Sequence, residues 1–187
     1  KKRRPLDTDL LIRASHKADG LEDIRFFFGR YQGLRKEDYC GLRWSDIDIS
    51  EEVIHLRRYD WQGQRRNLKL KEGGERTIPI HSELLWRIKK YLPKAITQND
   101  DTPIWKDDYK SKLECWGARW AERFKDRYGF GSHDLRSYVV TQMMKSNINP
   151  FFLHAITGHK VPGTSSVVLG YVRPTVSEVR KVLELLE

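Results

Sequence analysis

The sequence has little cysteine, no long apolar run and no dense cluster of acidic residues. Its two cysteines, Cys40 and Cys115, have the spacing of neither a disulfide framework nor a zinc motif, which is typical of a reduced intracellular protein. No apolar stretch is long enough to span a bilayer, and we expect no signal peptide before the first helix. Asp46 and Asp48 lack a third acidic residue at a useful spacing, so they are expected in a turn or at a strand edge. We therefore expect a cytoplasmic protein with no membrane partner, no metal and no cofactor.

Basic residues are abundant. Lysine and arginine number 35 against 26 for aspartate and glutamate, which gives a formal net charge of +9. With 187 residues, of which 39% are hydrophobic, the chain is expected to form one domain with a packed core. The charge favours a polyanionic partner such as nucleic acid, and the alternative is a basic protein whose charged faces are simply solvated.

Apolar residues recur at helical spacing over most of the chain, which predicts a mainly α-helical domain. Ser132 is expected to cap one helix, with Asp134 in its first turn. Asn149 and Pro150 are a second start signal, and Gly158 is the matching stop signal. The expected helices cover Asp7–Ala18, Leu21–Leu34, Arg35–Leu42, His81–Ile96, Ser111–Tyr128, a segment from Ser132, a segment from Asn149 to Gly158, and Val176–Leu186.

Three alternating runs predict a small antiparallel sheet: Val53–Arg58, Asn67–Lys71 and Arg76–Ile80. Lys69 and Lys71 share one face of the middle run, because side chains alternate along a strand. This face would suit binding to a phosphate backbone. Alternatively, it would be a solvent-exposed sheet edge on which lysines prevent pairing with other strands. The basic residues expected on this surface are Arg65, Arg66, Lys69, Lys71 and Arg76.

The stretch from Ser132 to Tyr171 contains polar side chains suited to chemistry. His133 and Arg136 lie three residues apart and should project from one face of a helix. His159 lies in the sequence Thr-Gly-His-Lys, just past the expected helix end at Gly158, so a rigid element would hold it beside a cleft. Lys160 follows His159, and Tyr171 is the only tyrosine after it.

Basic, histidine and tyrosine residues follow one another along the chain in the order Arg35, Lys71, His133-x-x-Arg136, Gly-His159 and Tyr171. This order resembles the catalytic domain of the tyrosine recombinases, the phage-type integrase family. The amino-acid sequences of Gly33–Asp48 and Glu75–Ile80 are also similar to those of the family, and the resemblance runs from about Pro5 to Val179. It implies an α+β fold that is mainly helical with a three-stranded antiparallel sheet. It also implies that residues 1–187 form a single catalytic domain, without the upstream DNA-binding domain of the family.

The resemblance implies site-specific DNA recombination by metal-independent strand cleavage and rejoining through a covalent 3′-phosphotyrosyl intermediate. Arg35 and Arg136 would grip the non-bridging phosphate oxygens with paired hydrogen bonds. His133 and His159 would donate further hydrogen bonds or move a proton. Tyr171 would be the nucleophile. Lys71 would protonate the departing 5′ oxygen, although Lys69 faces the same way and is the alternative.

The implied partners are double-stranded DNA at recombination sites, further copies of the chain in a tetramer on synapsed DNA, and accessory DNA-bending or excision factors. The implied setting is nucleoid-associated, in a bacterial or archaeal host of a phage or mobile element. The expected DNA contacts are Arg65, Arg66, Lys69, Arg76 and Lys160. Three alternatives are a catalytically silent DNA-binding module, a type IB topoisomerase-like strand transferase and a metal-dependent nuclease, and the last needs clustered carboxylates that the sequence lacks.

Overall fold

The computed structural model describes residues 6–20, 23–61, 64–67, 75–91, 104, 116–159, 163 and 173–186. The helices in these ranges are α1 (Thr8–Lys17), α2 (Ile24–Gln32), α3 (Lys36–Cys40), α4 (Ser82–Tyr91), α5 (Trp116–Tyr128), α6 (Ser132–Lys145), α7 (Pro150–Thr157) and α8 (Val176–Leu183). The strands are β1 (Ile47–Asp48), β2 (Val53–Leu56), β3 (Arg58–Trp61), β4 (Gln64–Asn67) and β5 (Arg76–Pro79). No helix of the described ranges combines the length and the apolar character needed to cross a membrane.

A three-stranded antiparallel sheet has the order β1-β2-β5, and a separate two-stranded hairpin joins β3 to β4. Ile54 on β2 lies opposite Ile47 on one side and Ile78 on the other, and its side chain is fully buried. These strands confirm the expected fold class, a mainly helical domain with a small antiparallel sheet.

The strands themselves differ from the expectation. The run expected at 53–58 divides at the exposed Arg57, so that β2 ends at Leu56 and β3 begins at Arg58 in the other sheet. The third strand of the described sheet is Ile47–Asp48, because its short antiparallel pairing with β2 covers the side of β2 that β5 leaves open. The run expected at 67–71 lies outside the described residues except for Asn67, which ends β4.

Helix ends follow local capping chemistry. The Asn149 side chain accepts a hydrogen bond from the Phe151 amide, Pro150 opens α7, and Gly158 ends it in the left-handed conformation (φ 69°), all as expected. The expectation for α6 was wrong, because its cap is Gly131 and not Ser132. The Asp134 carboxylate accepts from the Gly131 amide at 2.8 Å, so the third helical residue provides the capping contact and Ser132 becomes the first helical residue.

Two apolar clusters hold these elements together. The aromatic core surrounds α2, where Phe26 packs within 5.2 Å of the Tyr128 ring and 6.2 Å of the Phe124 ring of α5. Phe124 and Tyr128 of α5 are therefore buried in this core. The second group, here called the aliphatic cluster, is smaller and joins α6 and α7 to the C-terminal helix. It consists of Val139, Met143, Ile156, Val179, Leu183 and Leu186.

The C-terminal helix α8 packs against β5 and α7 of its own chain. Two polar contacts accompany this packing. Arg180 donates to the Glu52 carboxylate at 3.0 Å, and the Glu184 carboxylate accepts from the Ser82 amide at 2.9 Å and from its hydroxyl at 2.7 Å. The Glu184 carboxylate therefore caps the start of α4, and it ties α8 to a helix far away in sequence.

Candidate active site

Arg136 lies at the centre of the site. It projects from α6 and is 2% exposed. Its Nη1 donates to the Gly33 carbonyl at 2.7 Å, and its Nη2 donates to the Thr157 carbonyl at 2.9 Å. Since both acceptors close the C-terminal ends of helices α2 and α7, this one guanidinium fixes three helices relative to one another.

Gly33 lets the chain approach Arg136 closely. It ends α2 in the left-handed conformation, at φ 56°. A Cβ atom built on it would lie 2.9 Å from Cγ1 of Val139, which is closer than carbon atoms pack, and 3.4 Å from Cγ2 of Thr157. A glycine is therefore required both for the turn into Arg35 and for the short carbonyl contact with Arg136.

Arg35 lies two residues after Gly33, the residue that ends α2, and is the residue before the first turn of α3. Its carbonyl accepts from the Asp38 and Tyr39 amides at 3.0 and 3.2 Å, so the start of α3 fixes its backbone. Its side chain is partly exposed, and its charge lowers the pKa values of both Arg136 and His159. The Arg35 charge therefore acts on both Arg136 and His159.

Asp38 and Arg76 form a buried ion pair beside Arg136. Nη2 of Arg76 lies 3.3 Å from Oδ2 of Asp38, and the two side chains are 8% and 0% exposed. Nε of Arg76 also donates to the Ile156 carbonyl of α7 at 3.3 Å. The pair therefore connects α3, β5 and α7 behind the site, and its carboxylate offsets part of the charge of Arg136.

His159 follows the left-handed turn at Gly158 and is half-buried. Nη2 of Arg136 lies 3.2 Å from both of its ring nitrogens, and the Thr157 hydroxyl oxygen lies 2.7 Å from its Nδ1. Its carbonyl accepts a hydrogen bond of 2.5 Å from Nδ1 of His154. The residues on α7 therefore hold both the ring and the backbone of His159.

Positive charge dominates this group of side chains. Burial is the main cause that lowers the pKa of Arg136 to about 10, and Arg35 adds to it. Burial, followed by the charges of Arg136 and Arg35, lowers the pKa of His159 to about 4. Arg136 is still charged at neutral pH and His159 is neutral there, and an incoming anion would relieve the repulsion that both groups feel.

His133 lies in the first turn of α6 with an exposed side chain, whereas Arg136 one turn later is buried. Its carbonyl accepts from the Ser137 hydroxyl at 3.0 Å, which is a bond within the helix. His133 is close enough to contribute to the lowered pKa of His159. It therefore lies at the solvent edge of the site, where a proton could pass to or from water.

Comparison with known proteins places these residues in a family. The phage integrase family matches residues 11–173 of the chain. The chain belongs to the phage integrase family. It is 26% identical over 159 residues to the tyrosine recombinase XerA of Pyrococcus furiosus, an alignment that covers 81% of this chain and 50% of that protein. The chain thus spans about half the length of the curated relatives it matches.

Solved integrase structures share the fold. The integrase of mycobacterium phage Brujita has a TM-score of 0.68 at 14% identity, covering 100% of this chain and 59% of that one. The Tn1549 transposon integrase, solved in complex with transposon right end DNA, has a TM-score of 0.62 at 18% identity, covering 100% and 67%. At these identities the likeness shows that the three proteins have the same fold.

The structure brings together four of the six residues that the sequence singled out for catalysis in this family: Arg35, His133, Arg136 and His159. Lys71 and Tyr171 lie outside the described residues, as do Lys69 and Lys160. For Arg65 and Arg66 the structure describes the backbone, which pairs with Asp60 and Tyr59 across the hairpin.

Arg76 differs from its expected position on a basic surface. Its guanidinium is buried against Asp38 and α7, because β5 pairs with β2 and so turns this side chain inward. Asp38 and Thr157 also belong to the site, although the sequence did not single them out. Asp38 carried a usable signal, since it is one helical turn after Arg35 and thus on the same side of α3.

Proposed function

We propose that this chain is the catalytic domain of a tyrosine recombinase, which cleaves and rejoins DNA strands at specific sites through a covalent 3′-phosphotyrosyl intermediate. The observation that carries the proposal is the buried Arg136, held between the ends of α2 and α7 with Arg35 and His159 beside it. Two further guanidiniums, Arg35 and Arg76, and two carboxylates, Asp38 and Glu37, act electrostatically on Arg136. This group of described side chains has an excess of positive charge, which suits a phosphodiester.

Phosphoryl transfer gathers negative charge on the non-bridging oxygens of the phosphorus. Guanidiniums that are already oriented stabilise this charge without reorganising during the reaction. The Arg136 guanidinium is oriented by two backbone carbonyls, and the start of α3 fixes the backbone of Arg35. In the proposed reaction Tyr171 attacks the phosphorus and the 5′ oxygen leaves, protonated by Lys71 or by Lys69. The phosphotyrosyl bond conserves the energy that is used when a 5′ hydroxyl attacks in the rejoining step.

The proposed partner is double-stranded DNA carrying a recombination site, and the proposed assembly is a tetramer on two synapsed sites, aided by accessory DNA-bending or excision factors. The net charge of +9 and the complex of the Tn1549 transposon integrase with DNA support the DNA partner. Arg65, Arg66, Lys69 and Lys160 are proposed DNA contacts. We place the protein in the nucleoid of a bacterial or archaeal host of a phage or mobile element.

A covalent adduct would test the proposal directly. The 187-residue chain is incubated at low salt with nicked suicide DNA substrates, from which the short fragment carrying the free 5′ hydroxyl diffuses away so that the adduct accumulates. We expect an adduct that survives denaturation, is digested by protease and disappears in Tyr171→Phe. It should form equally in EDTA, because the proposed chemistry uses cationic side chains. Binding of DNA without any adduct would instead support the catalytically silent module.

Arg136→Lys separates geometry from charge in the same assay. Lysine retains the positive charge but loses the planar fork that reaches Gly33 and Thr157 at once. We expect adduct formation to slow roughly 100- to 1000-fold, the range seen when one donor to a developing oxyanion is removed. The matched control is Arg127→Lys, since Arg127 lies on α5 and pairs with Asp23 away from the site. Adduct formation at the normal rate in Arg136→Lys would refute the assigned role.

A further inference from the structure

The Thr157 side chain lies between a carbonyl oxygen and a ring nitrogen. Its hydroxyl oxygen is 2.6 Å from the carbonyl oxygen of Leu153, one turn earlier on α7, and 2.7 Å from Nδ1 of His159. The residue is fully buried. Both distances are those of well-formed hydrogen bonds, so each contact must contain a proton.

The hydroxyl has one proton, and this decides which atom donates in each contact. A carbonyl oxygen only accepts, so the Thr157 proton points at Leu153. The hydroxyl oxygen then faces Nδ1 of His159 with a lone pair, and the bond at 2.7 Å requires a proton on that nitrogen. In the neutral ring Nε2 therefore has no proton and presents a lone pair.

Arg136 does not compete for this arrangement. A donor aligned with the lone pair of one ring nitrogen would lie much nearer to that nitrogen than to the other. Nη2 of Arg136 is 3.2 Å from both nitrogens, which places it over the face of the His159 ring. Arg136 therefore occupies neither of the two in-plane hydrogen-bonding directions of the ring. The direction at Nδ1 is used by the Thr157 hydroxyl.

We propose that Thr157 is a positioning residue that fixes His159 in the tautomer with its proton on Nδ1, so that Nε2 is a hydrogen-bond acceptor while the site holds no anion. The consequence for catalysis rests on the proposed function. A phosphate anion beside Arg136 and Arg35 offsets part of their charge, which raises the pKa of His159 and favours a proton on Nε2. His159 then donates from Nε2 to the phosphate while Nδ1 stays bound to Thr157.

The tautomer is measured by long-range ¹H–¹⁵N NMR of the 187-residue chain, with ¹⁵N-labelled histidine at pH 7.5 and no phosphate in the buffer. The spectrum of His159→Gln assigns the His159 signals. We expect the wild-type ring to show a protonated Nδ1 and an unprotonated Nε2. Thr157→Val has nearly the same shape without the hydroxyl, and in it we expect the ratio of tautomers to shift roughly two- to tenfold toward Nε2–H, the size of one lost hydrogen bond.

Two variants keep this experiment interpretable. Thr157→Ser retains the hydroxyl and should restore the wild-type ring signals. Thr141→Val removes a hydroxyl that also donates to the preceding helical turn, at 2.7 Å from the Ser137 carbonyl. That bond involves no histidine ring, so this variant should leave the ring signals unchanged. A wild-type ring with its proton on Nε2, or an unchanged spectrum in Thr157→Val, would overturn the proposal. If Thr157→Val does not fold, the spectra of the wild type and of Thr157→Ser still show which ring nitrogen of His159 carries the proton.

Titration with inorganic phosphate tests the second step. We expect the Nε2 signal at pH 7.5 to move toward its protonated position as phosphate binds, and to move less in Thr157→Val. Phosphate binding that leaves the Nε2 signal at its unprotonated position would overturn this step. None of these readouts needs DNA cleavage, so they separate a failure of the tautomer proposal from a failure of the proposed recombinase activity.

Discussion

The aromatic core and the aliphatic cluster differ in size, composition and in what they position. The aromatic core contains stacked and edge-on rings from α2 and α5 and supports the backbone that leads to Arg35. The aliphatic cluster has no aromatic ring among its fully buried members and includes the C-terminal helix α8. The first is built from elements along most of the described chain, whereas the second depends on one short helix at the end.

Arg136 lies where the two clusters meet. Its neighbours on α6 divide between them, because Leu135 belongs to the aromatic core and Val139 to the aliphatic cluster. The carbonyls that orient it divide in the same way, Gly33 from α2 and Thr157 from α7. The site is therefore set by the relative position of two units that could respond separately to mutation.

The largest effect is expected in the aromatic core. Phe28 is fully buried, and its ring stacks on Tyr39 of α3 with centroids 6.3 Å apart. Phe28→Ala should lower the free energy of unfolding by about 3–5 kcal/mol, because a large cavity opens where little can relax. Chemical denaturation followed by circular dichroism measures this change.

The matched control is Trp86→Ala, an aromatic residue that is 57% exposed on α4. Its expected loss is below about 1 kcal/mol, as for surface substitutions in general. Equal losses in the two variants would mean that the aromatic core does not dominate stability.

The next effect separates the clusters. Leu183 of α8 is fully buried in the aliphatic cluster, and Leu183→Ala should cost about 2–4 kcal/mol. We expect hydrogen exchange to speed up at α7 and at His159 much more than at α2, since α8 packs on α7. Leu185→Ala changes a residue that is 66% exposed and provides the control. Uniformly faster exchange over α2 and α7 would show that the two clusters unfold as one.

Local signals explain which parts of the site the sequence could predict. Asn149, Pro150 and Gly158 define α7 by capping chemistry alone, so the position of His159 just past a helix end was confirmed. Arg136 and His133 share a helix, but spacing could not show that one is buried and the other exposed, because this depends on where the end of α2 docks.

The rest of the site depends on contacts between distant residues. Arg76 turns inward because β5 pairs with β2, and its partner Asp38 is 38 residues earlier in the sequence. The strand pattern at 76–80 was visible in the sequence, but which face of it would be covered was not. The same holds for Thr157, because nothing in the sequence indicates that its side chain contacts the ring of His159.

A smaller effect is expected at the glycine that joins the two clusters. In Gly33→Ala the new methyl group would meet Val139 of the aliphatic cluster at 2.9 Å, in addition to the strain of a positive φ. We expect a loss of about 1–3 kcal/mol together with a weaker contact from Arg136 to the Gly33 carbonyl. Unfolding measurements and the rate of adduct formation follow both consequences.

Gly129→Ala provides the comparison, because Gly129 has φ 80° but nothing within 4 Å of the added Cβ. Gly129→Ala introduces backbone strain without a steric clash. The difference in lost unfolding free energy between the two variants therefore measures the cost of the close contact at Gly33. If both variants lose the same stability, the contact with Val139 contributes nothing and the docking of α2 on α6 is looser than the distances indicate.

The last expected effect is a pH dependence that comes from the side of α7. The pKa of His159 is lowered to about 4, first by burial and then by Arg136 and Arg35, against an ordinary value of about 6.5. As the pH falls below 6.5 the unfolded chain binds a proton at this residue before the folded chain does, so the free energy of unfolding must fall. The loss should develop between pH 6.5 and 4 and level off below that range.

Comparison with His159→Gln isolates this contribution, because every other titrating group is common to both proteins. Among these groups His81, whose pKa is also lowered by burial, contributes a fall of the same sign. The difference in unfolding free energy between wild type and variant should therefore change between pH 6.5 and 4 and stay constant at higher pH. Inorganic phosphate should reduce that change, since an anion beside Arg136 offsets the charge that keeps His159 neutral. A difference that is flat from pH 4 to 7, or one that grows with phosphate, would show that His159 does not feel the guanidinium charges as the structure places them.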